Sequence, residues 1–350
     1  MSQTTSVAAE IDPVASQVSR RPALLRLLTR PEFGSLVGAI AVFAVFYALA
    51  PTFRNASSWS TILYETSTIG IMAVAVALLM IGGEFDLSAG VGVIATALFG
   101  AIFTYQLSVN VWVGVFASLA FGLAVGFVNG WLLVRTKLPS FLVTLSTFLM
   151  LQGLNVALTK LITGSTASDR ISDMDGFAAA EAVFASEFSL FGVDIQITVL
   201  WWLLFVGLAT WVLLRTRVGN WIYASGGDAD SARAVGVPVN RVKIGLFMVM
   251  GAAAWFSGMH LLFEYNTVQS GEGIGNELLY IMAAVIGGCL LTGGYGTAVG
   301  AAIGALIYGM TKQGIVYAGW DDNWLMFFVG AMLLLATVIN AWVRRQAGRR

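Results

Sequence analysis

The run Gly82-Gly83-Glu84-Phe85-Asp86-Leu87-Ser88-Ala89-Gly90 sets two carboxylates between long apolar stretches. A carboxylate in such a setting is costly unless it is paired or wet. The glycines let the backbone leave the helical form, and Ser88 is suited to cap a following helix. Glu84, Asp86 and Ser88 are therefore candidates for a broken segment facing a cavity or a solute path; the plain alternative is a turn between helices. A second polar set forms a stripe. Thr144, Thr147, Gln152, Asn155 and Thr159 fall within about 140° of arc at 100° per residue. All are uncharged hydrogen-bonding groups, able to serve a hydroxyl-rich neutral solute or to bond neighbouring helices. His260 and Glu264 stand four residues apart on one helix face, a spacing open to a proton relay or to a structural pair.

A different chemistry is suggested after the sixth apolar stretch. Gly226 and Gly227 are expected to turn the chain. Asp228 then caps a short helix that carries Ala232 and Arg233, and Gly236 stops it. Pro238 prevents its continuation. A compact helix held outside the membrane beside Arg215, Arg217, Arg241 and Lys243 suits docking to another protein.

Several chemistries are excluded. A single cysteine, Cys289, leaves neither an intrachain disulfide nor a cysteine-cluster metal site, and a single histidine leaves no zinc triad. No Gly-x-x-x-x-Gly-Lys-Ser/Thr loop is present to cradle phosphates. A formal net charge of zero gives no nucleic-acid footprint.

The elements that must position these residues are membrane helices. Of 350 residues, 58% are hydrophobic and 11% charged, against about 25% charged in a soluble domain. Ten spans are expected, at 33–50, 61–81, 88–105, 111–134, 140–162, 195–214, 244–265, 277–291, 297–313 and 324–343. The first, led by Arg20, Arg21, Arg26 and Arg30, reads as an uncleaved anchor. Basic residues between the fourth and fifth spans, between the sixth and seventh, and after the tenth share its side if both termini are cytoplasmic. Asp169, Asp173, Asp175, Glu181, Glu187, Asp194, Glu272, Asp321 and Asp322 then face outside; Arg54 and Arg170 oppose the trend. The expected class is an all-α integral membrane protein of ten helices. Its parts are a cytoplasmic tail at 1–32, a transmembrane domain at 33–343 and a basic tail at 344–350. Within the domain, 163–194 is an external loop with one amphipathic helix and 215–243 a cytoplasmic loop.

An internal repeat is suggested by matching features. Gly271-Glu272-Gly273-Ile274-Gly275 lies between the second and third helices of a second five-helix half, as 82–90 does in the first. Two glycine ladders, Gly122, Gly126 and Gly130, then Gly296, Gly300 and Gly304, put small residues on one helix face for close packing. Five spans per half would invert one half relative to the other.

On these residues the chain resembles the ribose/xylose-type permeases of bacterial ATP-binding-cassette (ABC) importers, within the broader group that includes branched-chain amino-acid permeases. Gly83-Glu84-Phe85-Asp86-Leu87-Ser88-Ala89-Gly90 is similar to that family's first signature, with Glu84 and Ala89 as mild departures. Ile222-Tyr223-Ala224, Gly226-Gly227, Ala232-Arg233, Gly236 and Arg241-Val242-Lys243 are similar to its ATPase-coupling loop. Ala284-Val285-Ile286-Gly287-Gly288 with Gly293-Gly294, Gly296 and Thr297 is similar to its third signature. The resemblance implies a pair of permease subunits in the bacterial inner membrane, a homodimer in the simplest case. It also implies cytoplasmic ABC ATPase subunits that hold ATP and magnesium, and an external binding protein that delivers a simple sugar or polyol. This chain would bind no cofactor of its own. The rival reading is a secondary transporter in which Glu84, Asp86 or Glu264 carries protons.

Overall fold

The computed structural model describes residues 31–348 except 191. Almost all of the expected N-terminal tail, and the last two residues of the basic C-terminal tail, lie outside that range.

Thirteen helices are present among the described residues. Helix α1 (Pro31–Leu49) ends where Pro51 cannot continue it, and a short 3-10 turn (Pro51–Arg54) buries Phe53 completely. Then follow α2 (Ala56–Ile81), α3 (Ala89–Gln106), α4 (Val111–Thr136) and α5 (Ser140–Thr163). Asn110 caps α4 by accepting from the Trp112 N–H. Left-handed Lys137 ends α4 and Gly164 ends α5.

The segment after α5, expected as a loop with one amphipathic helix, also contains two strands in an otherwise all-α fold. It holds a short α6 (Phe177–Phe184) and an antiparallel hairpin of β1 (Glu187–Leu190) and β2 (Val193–Gln196). Helix α6 buries Phe177, Ala180 and Phe184, and Phe184 stacks on Phe263 with ring centroids 5.5 Å apart. Helix α7 (Ile197–Arg215) runs into α8 (Arg217–Gly227) and α9 (Ala229–Ala234). Helices α10 (Val239–Tyr265), α11 (Asn276–Ile286), α12 (Ala298–Tyr317) and α13 (Trp324–Gly348) complete the bundle. Helix α13 carries straight on through most of the expected basic tail.

Eight of these helices, against the ten spans expected, are long and apolar enough to cross a membrane among the described residues. Helix α13 is not among them, its apolar part running over Trp324–Val338. Nor is α11: its eleven residues rise about 16 Å, roughly half of a 30 Å hydrocarbon core. The expected eighth span continued to 291, but Gly287 and Gly288 end the helix five residues earlier. A local repetition accounts for this. Gly82 N–H bonds Leu78 O, Gly83 bonds Met80 O and Glu84 bonds Leu79 O. At the end of α11, Gly287, Gly288 and Cys289 bond Ala283, Val285 and Ala284 O in the same pattern. Gly83 and Gly288 both take left-handed φ, +85° and +95°, which only glycine adopts without penalty.

The glycine ladders are packing surfaces. A Cβ on Gly122, Gly126 or Gly130 would fall within 3 Å of the backbone of α10. Gly300 and Gly304 meet the carbonyls of Gly287 and Ala283 in the same way. Gly296 does not belong to the second ladder's helix; it precedes α12 at φ +146° and lies against Cys289.

Candidate functional site

Most of the residues singled out in the sequence gather in two places, and His260 stands in a third whose other members were not foreseen. The first is the unwound stretch between α2 and α3. Backbone there has lost its helical partners, and α5 replaces them. Phe85 N–H donates to Ser140 Oγ and Leu87 N–H to Thr144 Oγ1, both at 3.1 Å. Asp86 Oδ1 accepts from the Ser88 N–H (2.8 Å) and the Ser88 hydroxyl (2.6 Å). Ser88 thus stands at the N-cap position of α3 without capping it; its hydroxyl is given to Asp86. Asn129 then bridges, donating to Ser88 Oγ (3.2 Å) and accepting from Thr147 Oγ1 (2.6 Å). Asn155 Nδ2 reaches Val91 O at 3.2 Å. Asp86, Ser88, Thr144, Thr147, Asn155 and Thr159 are all buried; Gln152 is half-buried. Ser140 and Thr144 of α5 therefore hold non-helical backbone in place inside the bundle, as such backbone requires where water is absent. Asn129 and Ser140 are further members that the sequence reading passed over. Glu84 takes another direction and forms an ion pair with Lys243 of α10.

The second place is a junction of three glycine pairs at one end of the bundle. Gly226, in the last turn of α8, packs on the carbonyl of Ile81 and the backbone of Gly82 and Gly83. Gly293 and Gly294 close over the same spot, and Gly294 N–H donates to Ile81 O at 2.9 Å. Tyr223 of α8 donates to Gly296 O at 2.9 Å. Gly226 and Gly227 were expected to turn the chain, yet both are helical; the turn falls at Asp228, which is extended. Asp228 Oδ1 accepts from the N–H groups of Asp230 and Ser231, each at 3.0 Å, and caps α9. These bonds from Ser231 and Asp230 hold its carboxyl below the usual range. Gly236 follows α9 at φ +87°. Arg233 Nη1 pairs with Asp230 at 2.6 Å on the exposed surface, and Ala232 is buried beneath. Beside the junction a cleft of about 580 Å³ is lined by Glu84, Lys137, Asp230, Arg233, Asn240 and Lys243.

The third site lies among α2, α10, α11 and α12, toward the end opposite the junction. A cavity of about 230 Å³ there carries Tyr64, Glu65, Ser257, His260, Asn276, Tyr280, Tyr308 and Lys312 on its walls. Lys312 Nζ donates to Glu65 Oε2 at 2.7 Å. His260 Nδ1 faces Phe184 O at 2.9 Å and must donate to it, so in the neutral ring Nε2 accepts from Tyr64 OH at 3.1 Å. His260 and Glu264 do not bond each other; Glu264 takes Gln196 Nε2 at 3.4 Å. Glu65 and Lys312, charges inside apolar spans, were the sequence signal that could have found this site. A larger cavity, about 620 Å³ between α2, α7, α8 and α10, is lined mainly by residues such as Val74, Phe205, Leu246 and Phe256 and offers little to a polar solute. Gly90 and Gly273 touch backbone to backbone, so the two interrupted segments meet in the bundle.

Comparison with known proteins gives the chain's family. The chain is 31% identical over 318 residues to the ribose import permease RbsC of Escherichia coli, covering 88% of this chain and 93% of that one. It is 28% identical to the fructose import permease FrcC of Rhizobium meliloti, covering 89% and 85%. It is also 28% identical to the xylose transport permease XylH of Haemophilus influenzae, covering 86% and 94%. No solved structure matches it significantly. The family model described as "Branched-chain amino acid transport system / permease component" matches residues 58–337, and with its apolar helices the chain is a multi-pass membrane protein belonging to that permease family.

Proposed function

We propose that this chain is the transmembrane subunit of a bacterial ABC importer in the inner membrane. It passes a simple sugar or polyol received from an external binding protein. Two copies surround one path, and a cytoplasmic ATPase, which holds ATP and magnesium, docks on α8 and α9. The chain crosses ten times with both termini cytoplasmic, in two five-helix halves of inverted sense.

The observation that carries the reading is the glycine junction. A short capped helix pair, α8 and α9, stands at the bundle end and is tied by backbone contact to the end of α2 and to Gly293 and Gly294 in the loop after α11. Force applied to α8 is delivered directly to the end of α2 and to the 287–297 loop that continues from α11. The charged cleft beside it is suited to receive a partner's surface. A proton-driven carrier fits less well, because Glu84 is neutralised by Lys243 and Asp86 is bound to Ser88. Uptake by the purified complex in proteoliposomes, with the ATPase and binding protein, tests the reading. Sugar entry that requires ATP supports it; entry driven by a pH gradient without ATP refutes it.

A further inference from the structure

The cavity among α2, α10, α11 and α12 is unlike its surroundings. Its walls come from mainly apolar helices, toward the end opposite the junction, and a polar side chain on such a helix must be satisfied or serve a solute. Glu65 and Lys312 neutralise each other there, so the site has no net charge with which to select an ion. Tyr280 and Tyr308 are almost fully buried and present aromatic faces with polar tips. Ser257, also on the wall, is 8% exposed. Its hydroxyl has no hydrogen-bond partner among the described residues. A buried hydroxyl left open costs free energy unless something fills the bond. Asn276 opens α11, so the first N–H groups of a half-length helix also border the space. Interrupted helices that end beside a mid-membrane cavity are where transporters bind their solutes.

We infer that this cavity is a solute-holding site of the permease itself, and that it takes one neutral monosaccharide. The inference rests on the importer reading and deepens it. At about 230 Å³ the space holds roughly seven or eight waters at ~30 Å³ each, which matches a single sugar ring and not a disaccharide. A polyhydroxyl solute offers a donor and an acceptor at almost every carbon. It can replace those waters at the paired Glu65 and Lys312, at the Tyr308 hydroxyl and at Ser257, while its C–H faces lie on the tyrosine rings. An amino acid with a branched apolar side chain would leave most of these hydroxyls unpaired. Such a mismatch is how a polar site rejects an apolar analogue.

The test uses the complete complex in proteoliposomes, with labelled D-ribose, D-xylose, D-fructose and L-leucine as probes. Ser257→Ala and Tyr308→Phe each delete one hydroxyl. Each is expected to lower uptake of the transported sugar at subsaturating concentration by roughly three- to tenfold. Tyr105→Phe, at the far end of α3, is the matched control and stays at the wild-type rate. A second readout places the only thiol in the cavity. Ser257→Cys with Cys289→Ala should react with a small methanethiosulfonate, and the transported sugar, but not leucine, should slow that reaction. If Ser257→Cys fails to reach the membrane, Thr68→Cys on the facing wall takes its place. Wild-type uptake in both hydroxyl variants, with no protection by sugar, overturns the cavity site and leaves the importer reading standing. ATP-dependent uptake of leucine alone, or of no probe, overturns the importer-of-sugar reading and the cavity site with it.

Discussion

Gly226→Ala is the sharpest test of the junction, because its neighbour supplies the control. A Cβ built on Gly226 would overlap the carbonyl of Ile81 and lie 2.8 Å from the Gly294 nitrogen and 2.9 Å from the Gly82 carbonyl carbon. All three are backbone atoms, so no side chain can rotate away. Either α8 must back off or the ends of α2 and the 287–297 loop must part. Overpacking of this kind costs about 1–3 kcal/mol. Separation would also strain the bond from Gly294 to Ile81, worth about 1 kcal/mol. A Cβ on Gly227 meets nothing within 4 Å, and that residue is helical, so alanine fits there. The assay compares the two variants in the reconstituted complex by ATP hydrolysis, sugar uptake and thermal stability. Gly226→Ala should lower stability and reduce sugar moved per ATP, while Gly227→Ala should match wild type in all three. Equal behaviour of the two variants would refute the reasoning, since their only structural difference is the backbone each one faces.

Other outcomes follow from the same geometry. Gly126→Ala should destabilise the bundle by about 1–3 kcal/mol, because its Cβ meets the Phe247 backbone, whereas Gly153→Ala, with open space around it, should not; thermal unfolding in detergent compares them. Glu84→Gln strands Lys243, which is 16% exposed, and should cost about 3 kcal/mol; adding Lys243→Met should recover much of the loss in the same melt. Arg233→Glu should leave the melting temperature unchanged, since its exposed pair with Asp230 contributes little, yet weaken co-purification of the ATPase. Hydrogen bonds to the ionised Asp228 depress its pKa, so the cap on α9 is complete above the ordinary aspartate range and is lost only as pH falls through the lower folded value; hydrogen exchange at Asp230 and Ser231 should stay slow at pH 4 and quicken in Asp228→Ala.

The spans were legible because long apolar runs have few alternatives to crossing a bilayer. Start signals were legible too: Asp228 and Gly236 bracket α9 as their chemistry dictates. The length of α11 was not. Residues 277–291 are apolar throughout, apart from Glu277, and hydropathy is blind to the left-handed φ at Gly288 that ends the helix. The polar stripe of α5 was found, but its partner was not; nothing in the spacing of Thr144 and Thr147 says that unwound backbone lies opposite. Glu84 and Lys243 are 159 residues apart, a distance over which local patterns say nothing. The cavity was hidden for a related reason. Each of four helices contributes two or three polar residues to it, too few on any one helix to form a stripe.

Helix α11 joins the two ends of this arrangement. Its C-terminus is fixed by the Gly287 and Gly288 cap and runs into the loop that packs on Gly226. Its N-terminus brings Asn276 and Tyr280 to the cavity wall. Between them lie eleven residues whose backbone bonds are internal and whose side chains from Met282 to Ile286 are buried. A short helix packed on this many sides moves as a rigid body, since close-packed cores resist bending. It is held against α12 by contacts of Gly300 and Gly304 with its own carbonyls, where small residues permit sliding without side chains to disengage. A displacement at the junction therefore need not pass through a chain of side-chain rearrangements to reach the cavity. Under the proposed coupling it would pass along one helix about 16 Å long, and on that reading the interruption that shortens α11 serves transport by linking the junction to the cavity.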